Sequence, residues 1–183
     1  MKLAIRISRP LLCSLFLLLA GASVRADAPA TFPVGDFTFT RPVKWEWVTA
    51  TSMMRKAQLK VTDAAGKDGA EVAFFEFGPG GAGGVKANVD RWLGQFSEPR
   101  EQLNSKVEEV TIGKTKVTYV QAEGTFKSGM PGGPQTPAPD SGLLGAILEG
   151  DNGMVFVKMT GPKGLVKSSL DDFKKMVESG LKK

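Results

Sequence analysis

Hydrophobic and polar residues alternate in two stretches of the first half of the chain, and a period of two is typical of half-buried strands. The first stretch covers residues 37–47 around the turn-like Arg41-Pro42, and it predicts an edge hairpin or a bent strand. The second covers residues 57–61 and stops at the turn-rich DAAGKDG. The next segment, EVAFFEF, is apolar on both faces, which predicts a central strand that is covered on both sides.

A period of three to four residues replaces this alternation in two later segments. The first follows a glycine cluster and carries Val85, Val89, Trp92, Leu93 and Phe96. The second, near the C-terminus, carries Val166, Leu170, Phe173, Val177 and Leu181. Each segment predicts an amphipathic helix. The dipeptide Glu98-Pro99 marks the end region of the first, because the residue before a proline is disfavoured in the helical conformation.

Two hairpins are predicted between the helices. One spans residues 107–120 with a tight turn at Gly113-Lys114, and the other spans 143–157 with a turn at Asn152-Gly153, a pair that tolerates positive φ. The segment between them, residues 127–142, contains four prolines and four glycines, and it predicts a long loop that is either used for binding or disordered. The chain therefore predicts an α+β domain with a mostly antiparallel sheet flanked by helices.

This order of elements resembles the PsbP-like fold, an α/β/α sandwich found in photosystem II extrinsic subunits, in a nuclear transport factor and in exported bacterial DcrB-type proteins. The segments that carry the resemblance are the aromatic strand ending PVKW, the central EVAFFEF, the helix NVDRWLGQF and the closing helix. The run FGPGGAGG followed by NVDRW also looks like a motif that recurs in a branch of exported bacterial proteins. The resemblance implies a binding or assembly factor, and it carries over no catalytic residues.

The first 26 residues have the composition of a secretory signal peptide, with basic residues in MKLAIRISRP followed by the apolar run LLCSLFLLLAGA. Val24 and Ala26 occupy the −3 and −1 positions of an A-x-A-like site, so we predict cleavage after Ala26 and a mature, periplasmic or secreted domain of residues 27–183. Cleavage removes four basic residues, which leaves 20 Lys and Arg against 19 Asp and Glu and lowers the net charge from +5 to +1. So small a charge gives no support to nucleic-acid binding, and no second apolar run is long enough for a transmembrane anchor.

The residue types of the mature chain restrict its chemistry. There is no histidine, and the one cysteine, Cys13, lies in the signal peptide, so a Ser-His-Asp triad, a thiol nucleophile and His- or Cys-ligated metal sites are excluded. Glu149, Asp151 and Asn152 are too few for the roughly six to eight oxygen ligands of calcium, and we predict a turn there. Hydrolysis by carboxylates alone stays open, because some glycosidases need only two acids that face one cleft. We expect a non-enzymatic protein without a cofactor.

The glycine cluster at residues 78–84 is a candidate binding loop. Gly78, Gly80 and Gly83 match the spacing G-x-G-x-x-G. A dinucleotide fingerprint also requires a βαβ unit with an acid at the end of its second strand, and the sequence predicts neither. A connection between a strand and a helix is the simpler interpretation of these glycines.

Three polar residues of the predicted first helix share the face opposite its apolar stripe, and they are Asn88, Arg91 and Gln95. A helix N-terminus attracts anions, so this face together with Gly80 and Gly83 is a candidate site for a carboxylate or phosphate, with Arg91 as the bidentate partner. A solvent-exposed polar face is the alternative.

Trp45 and Trp47 share one strand face and fit either the core or an interface. Met130 lies in the predicted loop and is a further candidate contact. We expect an interaction module whose partner, an unknown envelope or extracellular protein, meets either this loop or the tryptophan-bearing edge. The alternative is a soluble carrier or sensor of a small anionic or apolar ligand near Arg91.

Overall fold

The computed structural model describes residues 28–67, 69–129 and 133–182. The predicted signal peptide, its cleavage site and Met130 lie outside these residues. Within them no helix is long and apolar enough to cross a membrane.

The described chain forms strands and helices in the order that follows. The strands are β1 (Thr31–Val34), β2 (Phe37–Thr40), β3 (Glu46–Trp47), β4 (Arg55–Thr62), β5 (Gly69–Phe77), β6 (Asn104–Ile112), β7 (Thr115–Gly129), β8 (Gln135–Gly150) and β9 (Gly153–Pro162). The helices are α1 (Val85–Leu93), between β5 and β6, and α2 (Lys163–Ser168) and α3 (Leu170–Ser179), after β9.

Strands β3 to β9 form one antiparallel sheet with the order β3-β4-β5-β9-β8-β7-β6, while β1 and β2 pair as a separate hairpin. The predicted α+β class with a mostly antiparallel sheet is confirmed. Strand β5 lies inside the sheet, between β4 and β9, as the apolar EVAFFEF predicts. Its side chains alternate, because Val72 and Phe74 enter one hydrophobic core and Phe75 and Phe77 pack against another.

Each face of the sheet has its own core. The hairpin face is covered by the β1–β2 hairpin and by helices α2 and α3, whose Phe39 and Phe173 are at most 1% exposed. The α1 face is covered by helix α1, which contributes Val89, Trp92 and Leu93. This arrangement of helices on both faces of an antiparallel sheet is the one that the PsbP-like resemblance implies.

The predicted long loop at residues 127–142 is wrong for most of its length. Strands β7 and β8 continue to pair as far as Gly129 and Gln135, so the segment is an arm, a two-stranded extension of the hairpin. Pro137 and Pro139 are tolerated because β8 pairs with β9 only from Ser141 onwards. This leaves the two prolines on an edge where a missing N–H costs no ladder hydrogen bond.

Two further elements differ from the predictions. The stretch 37–47 contributes to a tight hairpin with the unpredicted β1, and only Glu46 and Trp47 join the main sheet. The closing helix is broken at Ser169, which ends α2 and precedes α3. The Ser169 hydroxyl donates a hydrogen bond to the Leu165 carbonyl over 2.8 Å, and this type of bond to the preceding turn bends helices.

Candidate functional site

The glycine loop, residues 78–84, connects the end of β5 to the start of α1. It opens with a turn in which the Gly81 N–H donates to the Gly78 carbonyl over 2.9 Å. Gly80 and Gly83 have φ angles of +74° and +76°, a region in which residues with a Cβ are strained. Gly80 and Gly83 are thus needed for the path of the backbone.

Asn88 holds this loop in place from inside the helix. Its side chain is 3% exposed, and its amide nitrogen donates to the carbonyls of Ala82 and Gly84, each over 3.0 Å. Its amide oxygen accepts a hydrogen bond of 2.7 Å from the Arg91 guanidinium. Asn88 is therefore buried against the loop and does not form the solvent-exposed polar face that was the sequence-based alternative.

The glycine loop borders a surface pocket of ≈ 400 Å³, here called the glycine-loop pocket. Besides the loop, its lining includes the apolar side chains of Phe77 and Met154 and the carboxylates of Glu149 and Asp151. No Lys or Arg lines it in the part of the chain that the structure describes. The volume lies within the range of small-molecule sites, roughly 300–1,000 Å³.

The register of the sheet brings these distant segments together. Phe77 at the end of β5 pairs with Met154 at the start of β9, so the turn between β8 and β9 lies beside the glycine loop. Gly153 permits this approach, since a Cβ there would lie 2.3 Å from the Phe77 carbonyl oxygen. The other side of the same turn borders a second pocket of ≈ 460 Å³, which contains Asp36 and Lys114.

Some of the candidate residues that the sequence predicts lie at the glycine-loop pocket, and the others lie elsewhere in the fold. Gly80 and Gly83 line the pocket, whereas Asn88 and Arg91 support it through the hydrogen bonds above. The G-x-G-x-x-G spacing does not belong to a βαβ unit, because β5 and the strand that follows α1 lie apart in an antiparallel sheet.

Trp45 and Trp47 lie on the opposite side of the sheet from the glycine-loop pocket. Trp45 is 2% exposed in the core of the hairpin face. Trp47 packs against the same core and makes an edge contact with Phe32, with 5.1 Å between ring centroids. The two tryptophans and helix α1 therefore cannot contribute to one site, because the sheet separates them.

Gln95 accepts a hydrogen bond from the ammonium of Lys158, a β9 residue whose Nζ also lies 5.1 Å from the centre of the Phe126 ring. The pKa of Lys158 is lowered to about 8, mainly because burial disfavours the charged form. The charge of Glu71 opposes this shift, and the charge of Arg55 adds to it. A single lysine in the apolar run MVFVKM was the sequence signal for this position. Lys158 thus links strand β9 to Gln95, just after α1, and to Phe126 in β7, next to the arm.

Sequence reasoning considered Glu149 and Asp151 only as calcium ligands, and it did not connect them to the glycine loop. No group of three or more acidic, His or Cys residues suited to a metal occurs among the described residues. The signal that was available is topological: when β5 pairs with β9, the loop that leaves β5 meets the turn that enters β9. Only the strand order provides that information.

Two solved structures are similar to this chain over most of its length. The solution structure of cyanobacterial PsbP (CyanoP) from Synechocystis sp. PCC 6803 is 9% identical, covers 84% of this chain and 94% of its own, and has a TM-score of 0.49. A protein of unknown function from Pseudomonas aeruginosa is 11% identical, covers 84% of this chain and 96% of its own, and has a TM-score of 0.45. At these identities the similarity concerns the fold alone. No family model and no curated protein matches the sequence.

Proposed function

We propose that the mature chain is an exported, non-enzymatic interaction module that binds an envelope or extracellular protein at the glycine-loop pocket. The observation that carries the proposal is the pocket itself, which combines a volume of ≈ 400 Å³ with an apolar floor and exposed backbone. A concave site of this kind accepts a side chain or chain end of a partner. The predicted signal peptide and the absence of histidine support an exported binding role.

The two carboxylates of the pocket bear on the hydrolytic alternative, since Glu149 and Asp151 line the same cleft. A general acid must keep its proton near neutral pH, and burial in apolar surroundings is the usual means. Asp151 is exposed and Glu149 is only partly buried. Neither carboxylate therefore has the apolar enclosure that a catalytic acid uses, which favours a binding role for the pair.

A carrier of a small ligand is the second candidate function, and the partial enclosure of the pocket favours it. The same residues serve either function, because a free molecule and a partner's side chain fill the same space. The two functions predict different results in affinity capture from the cell envelope: an interaction module recovers a partner protein, and a carrier of a small ligand recovers none.

The test is cross-linked affinity capture of the tagged protein from its native cell envelope, with two glycine variants. Gly78→Phe places a large side chain at the pocket, and it is sterically feasible because a Cβ at Gly78 meets nothing within 4 Å. Gly164→Phe is the matched control, since its Cβ also meets nothing within 4 Å and it lies on α2, behind the sheet.

We expect the wild type and Gly164→Phe to capture the same partner reproducibly. We expect Gly78→Phe to lose this partner. A third variant, in which Asn-Gly replaces residues 128–136, shortens the arm at Lys127 and Pro137, which already pair. Loss of the partner in this variant alone would move the contact to the arm. Recovery of no partner by any form would contradict the interaction function.

A further inference from the structure

The glycine-loop pocket is preorganised by hydrogen bonds within the chain. Asn88 fixes two of the loop carbonyls, and Arg91 fixes Asn88 in turn. The β8–β9 turn is held from the outside by Asp36, whose carboxylate accepts hydrogen bonds from the backbone and side-chain amides of Asn152 over 2.9 and 2.7 Å. Both walls of the cavity are therefore anchored by side chains, which reduces the ordering cost of binding.

The floor of the pocket selects an apolar group. Phe77 and Met154 are partly exposed at the base, and both pack against the core of the α1 face. The Phe77 ring rests on Phe156 in an edge contact, with 5.6 Å between centroids. A ligand that enters the cavity covers this apolar surface, and its removal from water favours binding.

The charge of the lining determines the sign of the ligand. The carboxylates of Glu149 and Asp151 make no ion pair or hydrogen bond among the described residues, and because both line one cleft their like charges repel each other. The nearby basic residues do not line this cleft. Lys86 pairs with Asp90, and the exposed Arg91 donates one hydrogen bond to Asn88, while Lys114 lines the second pocket on the other side of the turn, which Glu149 and Asp151 also border. A carboxylate or phosphate would add to the repulsion, and a cation relieves it.

We infer that the glycine-loop pocket binds an ammonium or guanidinium group carried on an apolar stem, with Glu149 and Asp151 as its anionic partners and Phe77 and Met154 against the stem. The inference rests on the pocket of the proposed function and names the chemistry of its ligand. It differs in charge from the carboxylate or phosphate that is the sequence-based candidate near Arg91. The two sources of such a group are a free amine and a Lys or Arg side chain of a partner protein.

A metal ion does not account for the same carboxylates. Calcium takes roughly six to eight oxygen ligands, and two acids on a short turn supply few of them. A metal ion also leaves the apolar floor uncovered. Calcium is therefore a control ligand in the test that follows.

The experiment is a ¹H–¹⁵N NMR titration of the purified protein near pH 7 with matched probes. N-acetyl-lysine methylamide provides the ammonium and the stem, N-acetyl-norleucine methylamide provides the stem alone, and n-butylammonium provides both without a peptide. We expect saturable shifts at the amides of residues 78–84 and 149–153 with the two cations. The norleucine probe is expected to bind at least about five-fold more weakly, the effect of one modest ion pair.

The variants Glu149→Gln and Asp151→Asn are each expected to lower the affinity for the lysine probe about three- to five-fold. Glu109→Gln, an exposed carboxylate on β6, is the control and leaves the affinity unchanged. The amide spectra report whether each variant is folded. If Glu149→Gln does not fold, Asp151→Asn tests the inference by itself, because Asp151 is exposed.

Equal affinity for norleucine, insensitivity to both carboxylate variants, or displacement of the lysine probe by equimolar calcium would each overturn the inference. Tighter binding of the lysine probe than of butylammonium by ten-fold or more supports the pocket as a site for a protein side chain, and equal binding supports a free amine. The capture experiment is independent of these outcomes. A recovered partner without cation preference leaves the interaction function in place and removes only the ligand assignment.

Discussion

At the scale of single residues, Asn88 has the most consequential hydrogen bonds of the candidate site. Asn88→Ala removes the side-chain donor from the Ala82 and Gly84 carbonyls, of which Gly84 keeps the bond from the backbone N–H of residue 88, and we expect it to destabilise the protein by about 1–3 kcal/mol. Urea denaturation gives the free energy of unfolding, and hydrogen exchange of residues 78–84 shows whether the loop loosens. Lys86→Ala, two positions away and 91% exposed, is the control and is expected to cost under about 0.5 kcal/mol. Equal costs in the two variants would refute the role of Asn88.

Lys158 is a second residue whose effect is measurable. Its pKa is about 8 in the folded protein against an ordinary 10.5, so between these pH values the unfolded chain binds more protons and stability rises with pH. Below about pH 8 both states are charged, and the cost of burial is fully present. Lys158→Met is therefore expected to stabilise the protein by about 1–3 kcal/mol at pH 7.

The advantage of Lys158→Met is expected to shrink as pH rises from 8 to 10.5, because the wild-type lysine then folds in its neutral form. Urea denaturation at several pH values measures this dependence. Lys60→Met, on the exposed side of β4, controls for the loss of one positive charge. A difference between Lys158→Met and wild type that does not change with pH would contradict the account.

At the scale of elements, the position of α1 on the sheet depends on one missing side chain. A Cβ at Gly145 in β8 would lie 2.2 Å from the Trp92 ring, so the helix packs closely only because this residue is glycine. We expect Gly145→Ala to cost about 1–3 kcal/mol, the usual cost of overpacking. Thermal or urea unfolding measures it. Gly164→Ala in α2, where a Cβ meets nothing within 4 Å, is expected to be neutral or slightly stabilising.

A double variant separates this packing effect from other consequences of the alanine. Trp92→Leu shortens the opposing side chain, so Gly145→Ala should cost less in its presence than alone. Additive costs would mean that Gly145 matters for a reason other than its contact with Trp92.

The elements that the sequence predicts well are those with a long, regular pattern. Helix α1, the strand EVAFFEF and the hairpins around Gly113 and Asn152 all have apolar residues at the spacing of their structure. Strand β1 was missed because four residues that include Pro33 are too short for a period to be recognised. The arm was missed because prolines and glycines usually indicate a loop. They are compatible with strand pairing here because the arm extends beyond β6 and β9, so that β8 is paired there on one side only.

At the scale of the whole molecule, export is the property that the sequence predicts most directly. The signal-peptide pattern predicts that the exported protein begins at Asp27 and has a net charge near +1 instead of +5. N-terminal sequencing and intact mass of the exported form measure the first property, and isoelectric focusing measures the second. Ala26→Arg should block cleavage and leave the precursor. An exported form that retains residues 1–26 would contradict the prediction.

The sequence by itself determined the class of the fold, the position of the elements that have a long regular pattern and the residue types available for chemistry, because periodicity and residue type are local properties. The tertiary structure alone decided what each candidate residue faces. Asn88 and Arg91 carry polar groups that suit a ligand, yet Asn88 is buried against the glycine loop and Arg91, although exposed, donates a hydrogen bond to it. Glu149 and Phe77 meet at one pocket only because β5 pairs with β9. Contacts between residues more than 70 positions apart depend on strand order, which no local pattern encodes.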